Sequence, residues 1–184
     1  MRSNVVEQLR GRLIVSCQAP SGSPLDQPLV IAAMAAAGER AGAGGVRINR
    51  PDNIASVSNA VRIPIIGIYK RVRLGSDVYI TRDVQAARAV RACGADIVAL
   101  DATARRPRGY AAVAELIAQV RERLGCPVIA DVASFEDGRH AEEAGADMIA
   151  TTLFAYTAET RGATLPGLRL VSVSANIKFP KIGE

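Results

Sequence analysis

Short apolar runs alternate with amphipathic segments along the whole chain, and each run is bounded by glycine, proline or polar residues. Runs that are apolar at nearly every position are typical of strands buried on both faces of a sheet. Six such runs are predicted strands: RLIVSCQ, GGVRIN, IPIIGIYK, ADIVALDAT, CPVIADVAS and ADMIATT. The segments between them have helical periodicity, for example PLVIAAMAAAGERAGA, TRDVQAARAVRACGA, AAVAELIAQVRERLG and FEDGRHAEEAGA. The pattern predicts an α/β protein in which strands and helices alternate.

A turn sequence recurs where three of the helical segments end. AGAG, CGAD and AGAD place Gly42, Gly94 and Gly145 just after the last helical residue, at intervals of 52 and 51 residues. Glycine is favoured there because it adopts the left-handed conformation without strain. A repeat of two βα modules suits a closed parallel sheet, so we expect a (β/α)8 TIM barrel in preference to an open doubly wound sheet.

Length and composition limit what the chain can build. Its 184 residues, 49% hydrophobic and 22% charged, supply one sizeable core, so we expect a single domain over residues 1–184. No apolar run approaches the roughly 20 residues that span a bilayer, and the N-terminus lacks an apolar signal segment, which predicts a cytoplasmic protein with no membrane partner. Cys17, Cys93 and Cys126 are far apart among apolar neighbours, which favours reduced thiols over disulfides or a zinc site.

The net charge of +5 is compatible with nucleic acid or with an acidic small molecule as partner. Aromatic residues make up only 4% of the chain and tryptophan is missing, so stacking platforms for single strands are poorly supplied and we expect no nucleic-acid partner. The densest basic cluster, ARRPRGY at 104–110, is predicted to be a solvated loop, with an anion-binding loop as the alternative. His140 is expected on a solvent-exposed helix face, where it is a poor general base.

Polar residues mark the carboxyl ends of the predicted strands. Five of them lie at or just inside these ends: Gln18, Arg47, Lys70, Asp101 and Asp131. The carboxyl ends of parallel strands share one mouth, where ligands bind in α/β proteins. Each residue alone could be structural, as an Asx turn or an ion pair. The five together predict a functional site.

Seven motifs follow one another in a consistent order from about residue 12 to residue 171. They are SCQA, GGVRIN, IPIIGIYKR, VYITRD, ALDAT followed by RRPRG, IADVAS, and GADMIATTLFAYT. In this order they resemble the bacterial N-acylmannosamine-6-phosphate 2-epimerases. The resemblance implies a TIM-barrel isomerase that interconverts N-acetylmannosamine 6-phosphate and N-acetylglucosamine 6-phosphate in sialic acid catabolism, with no metal or organic cofactor.

The resemblance also implies a role for each site residue. The catalytic lysine of the family falls on Lys70, and its sugar-contacting residues fall on Gln18, Arg47 and Asp131. Asp101 matches an aspartate of the ALDAT motif and is expected to bind substrate as well. The implied partner is a phosphorylated N-acyl amino sugar, and a homodimer is one of the assemblies left open.

Epimerisation at C2 requires a base on one face of the carbon and an acid on the other. We expect Lys70, with its pKa lowered by apolar neighbours and by Arg47 or Arg71, to be one of the two. The resemblance implies a glutamate on a seventh strand as the other, yet from Leu170 the chain reads LVSVSANIKFPKIGE, without that glutamate's motif or a glycine-rich phosphate loop. Residues 12–171 are therefore expected to be family-like.

Residues 172–184 are expected to form a divergent tail. We accordingly predict six βα units in place of eight, and impaired epimerisation by this chain. Two alternatives stay open at this point. A desolvated lysine on the same barrel suits a Schiff-base aldolase, and a shortened barrel suits a non-catalytic remnant.

Overall fold

The computed structural model describes residues 2–163 and 181–182. Along the described chain the strands are β1 (Ile14–Cys17), β2 (Gly45–Asn49), β3 (Ile65–Ile68), β4 (Ile97–Asp101), β5 (Val128–Asp131), β6 (Met148–Ala150) and β7 (Lys181–Ile182). The helices are α1 (Arg2–Glu7), α2 (Pro28–Arg40), α3 (Pro51–Ser58), α4 (Val84–Ala92), α5 (Tyr110–Gln119) and α6 (Phe135–Glu143). A π-helical turn, Val120–Leu124, extends α5. The six predicted strands are all present, alternating with helices as expected.

The strands form one parallel sheet in which each strand pairs with the next along the chain, in the order β1 to β7. β7 adds a two-residue parallel pairing to β6. The rest of the predicted tail, and the sequence from Leu170 to Pro180, lies outside the described residues. Arg47 on β2 contacts Asp131 on β5, three strands away, which a flat sheet would separate by about 14 Å. The sheet is therefore curled, as in a barrel.

Side chains alternate between two cores, which explains why the strands are apolar at nearly every position. One set, including Val46, Ile48 and Leu100, faces the helices. The other, including Ile66 and Ile129, faces the concave interior of the sheet. Both sets are buried, and polar residues enter strands β1 to β6 only from the third strand position onward.

The recurring turn glycines have the conformation that their position predicts. Gly42, Gly94 and Gly145 follow α2, α4 and α6 with φ of +94°, +107° and +86°, a region that other residues rarely adopt. In two of these turns the next aspartate, Asp96 or Asp147, binds the first residue of the preceding strand. Each donates its backbone N–H to that residue's carbonyl and accepts that residue's N–H on its carboxylate, all at 2.9 Å. The repeated turn thus anchors the amino ends of β3 and β5.

Two of the helices, α1 and α3, were not predicted from the sequence. α1 is short and precedes the first strand, and its segment contributes Val6 and Leu9 to the interior core. Leu9 lies against Gly45 at the start of β2, so this segment covers the amino ends of the strands. α3 begins directly after β2 with Pro51 in its first turn. No helix of the described chain combines the length and apolar character needed to cross a bilayer.

Candidate active site

A cavity of about 260 Å³ opens at the carboxyl ends of the strands. Its walls combine predicted site residues with residues that the sequence did not single out: Ser16, Gln18, Arg47, Lys70, Tyr79, Ile80, Thr152 and Tyr156. Three of the five predicted residues, Gln18, Arg47 and Lys70, therefore line one cavity. The other two, Asp101 and Asp131, are buried behind it.

Strand alternation places these side chains inside the curled sheet. Val46 and Ile48 on β2 pack against the helices, so Arg47 between them faces the interior. Ile66 and Ile68 on β3 pack in the interior core, and Lys70 continues the same alternation two residues beyond the strand. The carboxyl end of the sheet is where polar groups can enter this face, because the interior below is filled with apolar side chains.

The amine of Lys70 sits in an environment that disfavours its charged form. Burial is the main cause of the lowered pKa of Lys70, and the positive charge of Arg47 lowers it further, whereas the negative charge of Asp131 opposes both. The predicted lowering of the pKa of Lys70 is confirmed, and Arg47 is the cationic neighbour that contributes to it. Arg71 instead lies over the ring of Tyr69, 5.3 Å from its centre.

The position of Arg47 is set by a buried carboxylate. Its Nη1 and Nη2 atoms donate to the two carboxylate oxygens of Asp131 at 2.8 and 2.7 Å. Thr152 donates its hydroxyl to Oδ1 of Asp131 at 2.7 Å. The Asp131 side chain has no exposed surface, and that of Arg47 is 12% exposed. This two-pronged geometry holds the guanidinium in one orientation at the wall of the cavity.

Asp101 is engaged by its own loop. Its Oδ1 atom accepts from the backbone N–H and the hydroxyl of Thr103 at 3.0 and 2.7 Å, and its Oδ2 atom accepts from Nη2 of Arg105 at 2.6 Å. Burial raises the pKa of Asp101, although the bonds from Thr103 and the charge of Arg105 oppose the rise. Asp101 lies at the mouth, as predicted, but does not line the cavity.

The predicted solvated loop at 104–110 is only partly solvated. Arg105 is 12% exposed and also donates to the carbonyl of Asp77. Arg106 donates to the carbonyls of Arg82 and Asp101, and burial lowers its pKa. Arg108 is the one arginine of this loop that matches the prediction, with a side chain 68% exposed. The loop therefore uses two of its cations to brace the end of β4.

Gln18 lies between the cavity and a second depression of about 460 Å³ that also includes Lys70. Its Nε2 atom donates to the hydroxyl of Ser16 at 2.6 Å. An amide offers both donors and an acceptor, so Gln18 can bind a sugar hydroxyl in either sense. In the second depression, Arg50 pairs with Asp26 at 2.7 Å.

Thr152 and Tyr79 were not predicted as site residues. Thr152 follows β6 by two residues, as Lys70 follows β3, and this signal could have identified it. Tyr79 belongs to the loop after β3, where no local pattern marks it.

His140 is less exposed than expected because its ring stacks on Tyr110 at 3.9 Å between centres. Across the described chain, histidine, cysteine, aspartate and glutamate side chains form no cluster of three that could hold a metal ion.

The arrangement suits proton transfer next to a carbonyl. Because the pKa of Lys70 is lowered, a larger fraction of its amine is uncharged at pH 7 than for an ordinary lysine. The uncharged amine can accept a proton. A fixed guanidinium beside it can stabilise negative charge that develops on an oxygen. Both groups face a cavity that also offers amide and hydroxyl groups for orientation.

Comparison with known proteins supplies the family. A family model described as "NanE: Putative N-acetylmannosamine-6-phosphate epimerase" matches residues 31–184. A protein of Thermosynechococcus vestitus named "Putative N-acetylmannosamine-6-phosphate 2-epimerase" is 49% identical over 183 residues, which cover 98% of this chain and 79% of that protein. A protein of Synechococcus elongatus with the same name is 45% identical over 176 residues, covering 95% of this chain and 75% of the relative.

A solved structure agrees. The N-acetylmannosamine-6-phosphate 2-epimerase from Clostridium perfringens superposes with a TM-score of 0.88 and 31% sequence identity, covering 96% of this chain and 77% of that one. This likeness and the curled parallel sheet confirm the predicted α/β architecture of the TIM-barrel class. The fold, the relatives and the family model agree, and the chain belongs to the N-acetylmannosamine-6-phosphate epimerase family.

Proposed function

We propose that this chain is an isomerase that interconverts N-acetylmannosamine 6-phosphate and N-acetylglucosamine 6-phosphate by removing and returning a proton at C2. The observation that carries the proposal is the position of Lys70: an amine with a pKa lowered by burial and by Arg47, facing the cavity at the carboxyl ends of the strands. Membership in the epimerase family supports the choice of substrate.

The chemistry follows from the acidity of the C2 proton. In the ring-opened sugar, C2 lies next to the C1 carbonyl, so loss of its proton leaves an enolate with its charge on the C1 oxygen. Neutral Lys70 accepts the proton, and the guanidinium of Arg47 stabilises the enolate. A proton delivered to the opposite face of C2 then gives the other epimer, while delivery to the original face returns the starting sugar.

The other predicted residues take supporting roles in the proposal. Gln18 binds a hydroxyl or the N-acyl group from the cavity wall. Asp131 acts on the substrate mainly by holding Arg47, because its Oδ1 atom already accepts two hydrogen bonds and its Oδ2 atom one. The substrate contact predicted for Asp101 stays a prediction: Thr103 and Arg105 already engage both of its carboxylate oxygens, so the proposed chemistry assigns it no step.

Three further expectations accompany the proposal. The partner is a phosphorylated N-acyl amino sugar, the site of action is the cytoplasm, and a homodimer is the assembly to test by light scattering. No metal or organic cofactor takes part in the proposed proton transfers.

Proton exchange provides the test. The purified chain is incubated in heavy water with N-acetylmannosamine 6-phosphate, and NMR follows both deuterium at C2 and the gluco epimer. Lys70→Ala should lower the exchange rate by about 10² or more, the effect of losing an acid or base. Arg71→Ala is the matched control, since this neighbouring cation lies over Tyr69 and does not line the cavity.

The outcomes separate the alternatives. Equal exchange in the wild type and Lys70→Ala would contradict the assignment of Lys70. Exchange without the second epimer would mean that the proton returns only to one face. A borohydride-stable adduct on Lys70 would favour a Schiff-base aldolase instead.

A further inference from the structure

Tyr79 is a cavity residue with no part in the chemistry proposed above. It lines the same cavity as Lys70 and Arg47, and its ring packs against the interior core. Its hydroxyl lies in the field of Arg105, Asp101 and Asp131, which places it toward the mouth of the sheet. The ring is thus supported from within while the phenol group faces the site.

Backbone hydrogen bonds fix the segment that carries Tyr79. The N–H of Arg71 donates to the carbonyl of Tyr79 at 2.8 Å, and the N–H of Thr81 donates to the carbonyl of Tyr69 at 3.0 Å. On the other side, the N–H of Asp101 donates to the carbonyl of Ile80 at 3.2 Å. Residues 79–81 are therefore held between the extension of β3 and the end of β4, so Tyr79 is a pre-positioned group.

The hydroxyl of Tyr79 accepts and donates no hydrogen bond among the residues that the structure describes. The contrast with Tyr110 is informative, because Tyr110 donates its hydroxyl to Asp137 at 2.9 Å and so acts structurally. The ring of Tyr79 packs on the core, but its hydroxyl is not a buried polar atom that lacks a partner, because it is reached from the cavity. A molecule in the cavity can therefore bind this hydroxyl.

We propose that Tyr79 is a substrate-binding residue whose hydroxyl donates a hydrogen bond to an oxygen of the sugar phosphate held beside Lys70. This inference deepens the proposed function and rests on it. Burial, with the charges of Asp101 and Asp131, raises the pKa of Tyr79, so the phenol keeps its proton at neutral pH and acts as a donor. The rigid ring loses little conformational freedom when the bond forms.

Removal of the hydroxyl alone tests the assignment. Tyr79→Phe retains the packed ring and should lower kcat/KM for N-acetylmannosamine 6-phosphate by about 5–10-fold, the effect of one lost hydrogen bond. The urea midpoint of unfolding should stay unchanged, because the hydroxyl has no partner in the described chain. Tyr69→Phe is the matched control: it makes the same chemical change on a ring that packs in the helix-facing core, and its kcat/KM should equal that of the wild type.

A binding measurement separates this inference from the proposed function. Calorimetry with N-acetylglucosamine 6-phosphate should show about 5–10-fold weaker binding to Tyr79→Phe if the contact forms in the ground state. If the wild type binds the sugar phosphate without exchange at C2, the epimerase proposal fails, and the affinity ratio alone decides the role of Tyr79. Unchanged kcat/KM together with unchanged affinity overturns the inference, as does a wild-type chain that binds no sugar phosphate.

Discussion

Asp101 and Asp131 occupy equivalent places in the sheet and have different partners. Each is the last residue of its strand, the two are paired in register across β4 and β5, and both side chains are fully buried. Asp101 binds Thr103 and Arg105 within its own loop. Asp131 binds Arg47, 84 residues away along the chain and across the interior of the sheet.

The loop after each strand accounts for the difference. After β4, a threonine two residues on and an arginine four residues on reach back to Asp101. After β5 the chain reads VAS and enters α6, where Ser134 and Asp137 cap the helix and leave no side chain to reach Asp131. A buried carboxylate requires partners, so Asp131 takes them from β2 and from Thr152 beyond β6. Both strands end in aspartate, and the loop that follows each strand determines its partners. Asp101 therefore stabilises its own loop, whereas Asp131 orients Arg47 at the cavity wall.

The largest expected effect is on stability. Arg47→Met removes the two bonds from the guanidinium to Asp131 and leaves that carboxylate with the bond from Thr152, which should cost about 3–5 kcal/mol in the free energy of unfolding. Arg105→Met should cost less, because Asp101 keeps two bonds from Thr103. Urea denaturation of the two variants measures the difference. Equal losses in the free energy of unfolding would show that the Arg105–Asp101 and Arg47–Asp131 pairs contribute equally to stability.

The next effect is on turnover. Asp131→Asn keeps the shape of the side chain but weakens its hold on Arg47, and displacement of a cavity group typically costs about 10² in rate. Asp101→Asn should change the rate of folded enzyme by less than about threefold, since its partners lie in a loop and one lost hydrogen bond is worth little. C2 exchange per mole of folded protein is the measurement. A 10²-fold loss in Asp101→Asn would support the predicted role of Asp101 as a substrate ligand.

A smaller effect is expected at Thr152, which donates to the same Oδ1 atom of Asp131 as Arg47 does. Thr152→Val removes one hydroxyl and should lower kcat by about 5–10-fold through a looser Arg47–Asp131 pair. Thr152→Ser retains the donor and should restore the rate, which distinguishes positioning from packing. Failure of the serine variant to restore activity would assign the effect to the missing methyl group.

The smallest effect is a displacement of the pH profile. If Lys70 acts as a base, kcat/KM rises with pH through the pKa of Lys70, which lies below its usual value. Asp131 raises that pKa and Arg47 lowers it, so Asp131→Asn should move the rise to lower pH and Arg47→Met to higher pH. Asp101→Asn is the control and should leave it in place. Shifts of the same sign in the Asp131 and Arg47 variants would contradict this electrostatic account.

Local patterns in the sequence were sufficient for the framework. The six main strands, the turn glycines and the inward position of Lys70 follow from alternation along a strand and from the conformation that only glycine adopts easily. These depend on neighbours within a few residues. The short helices α1 and α3 were missed because their few turns carry little periodicity.

Only the tertiary structure decided which polar groups meet. The bond between Arg47 and Asp131 depends on the curl of the sheet, which brings β2 opposite β5. The repeat in the sequence predicted a closed sheet, but it did not predict which strands face each other across the interior. The same holds for Tyr79, which enters the cavity because two neighbouring strands hold its loop. The sequence determined by itself which strand residues face inward, because side-chain alternation along a strand is local. The partner of each inward group was decided by the fold. A buried charge is destabilising unless it is paired, and only the folded sheet determines which opposite charge lies close enough to pair with it.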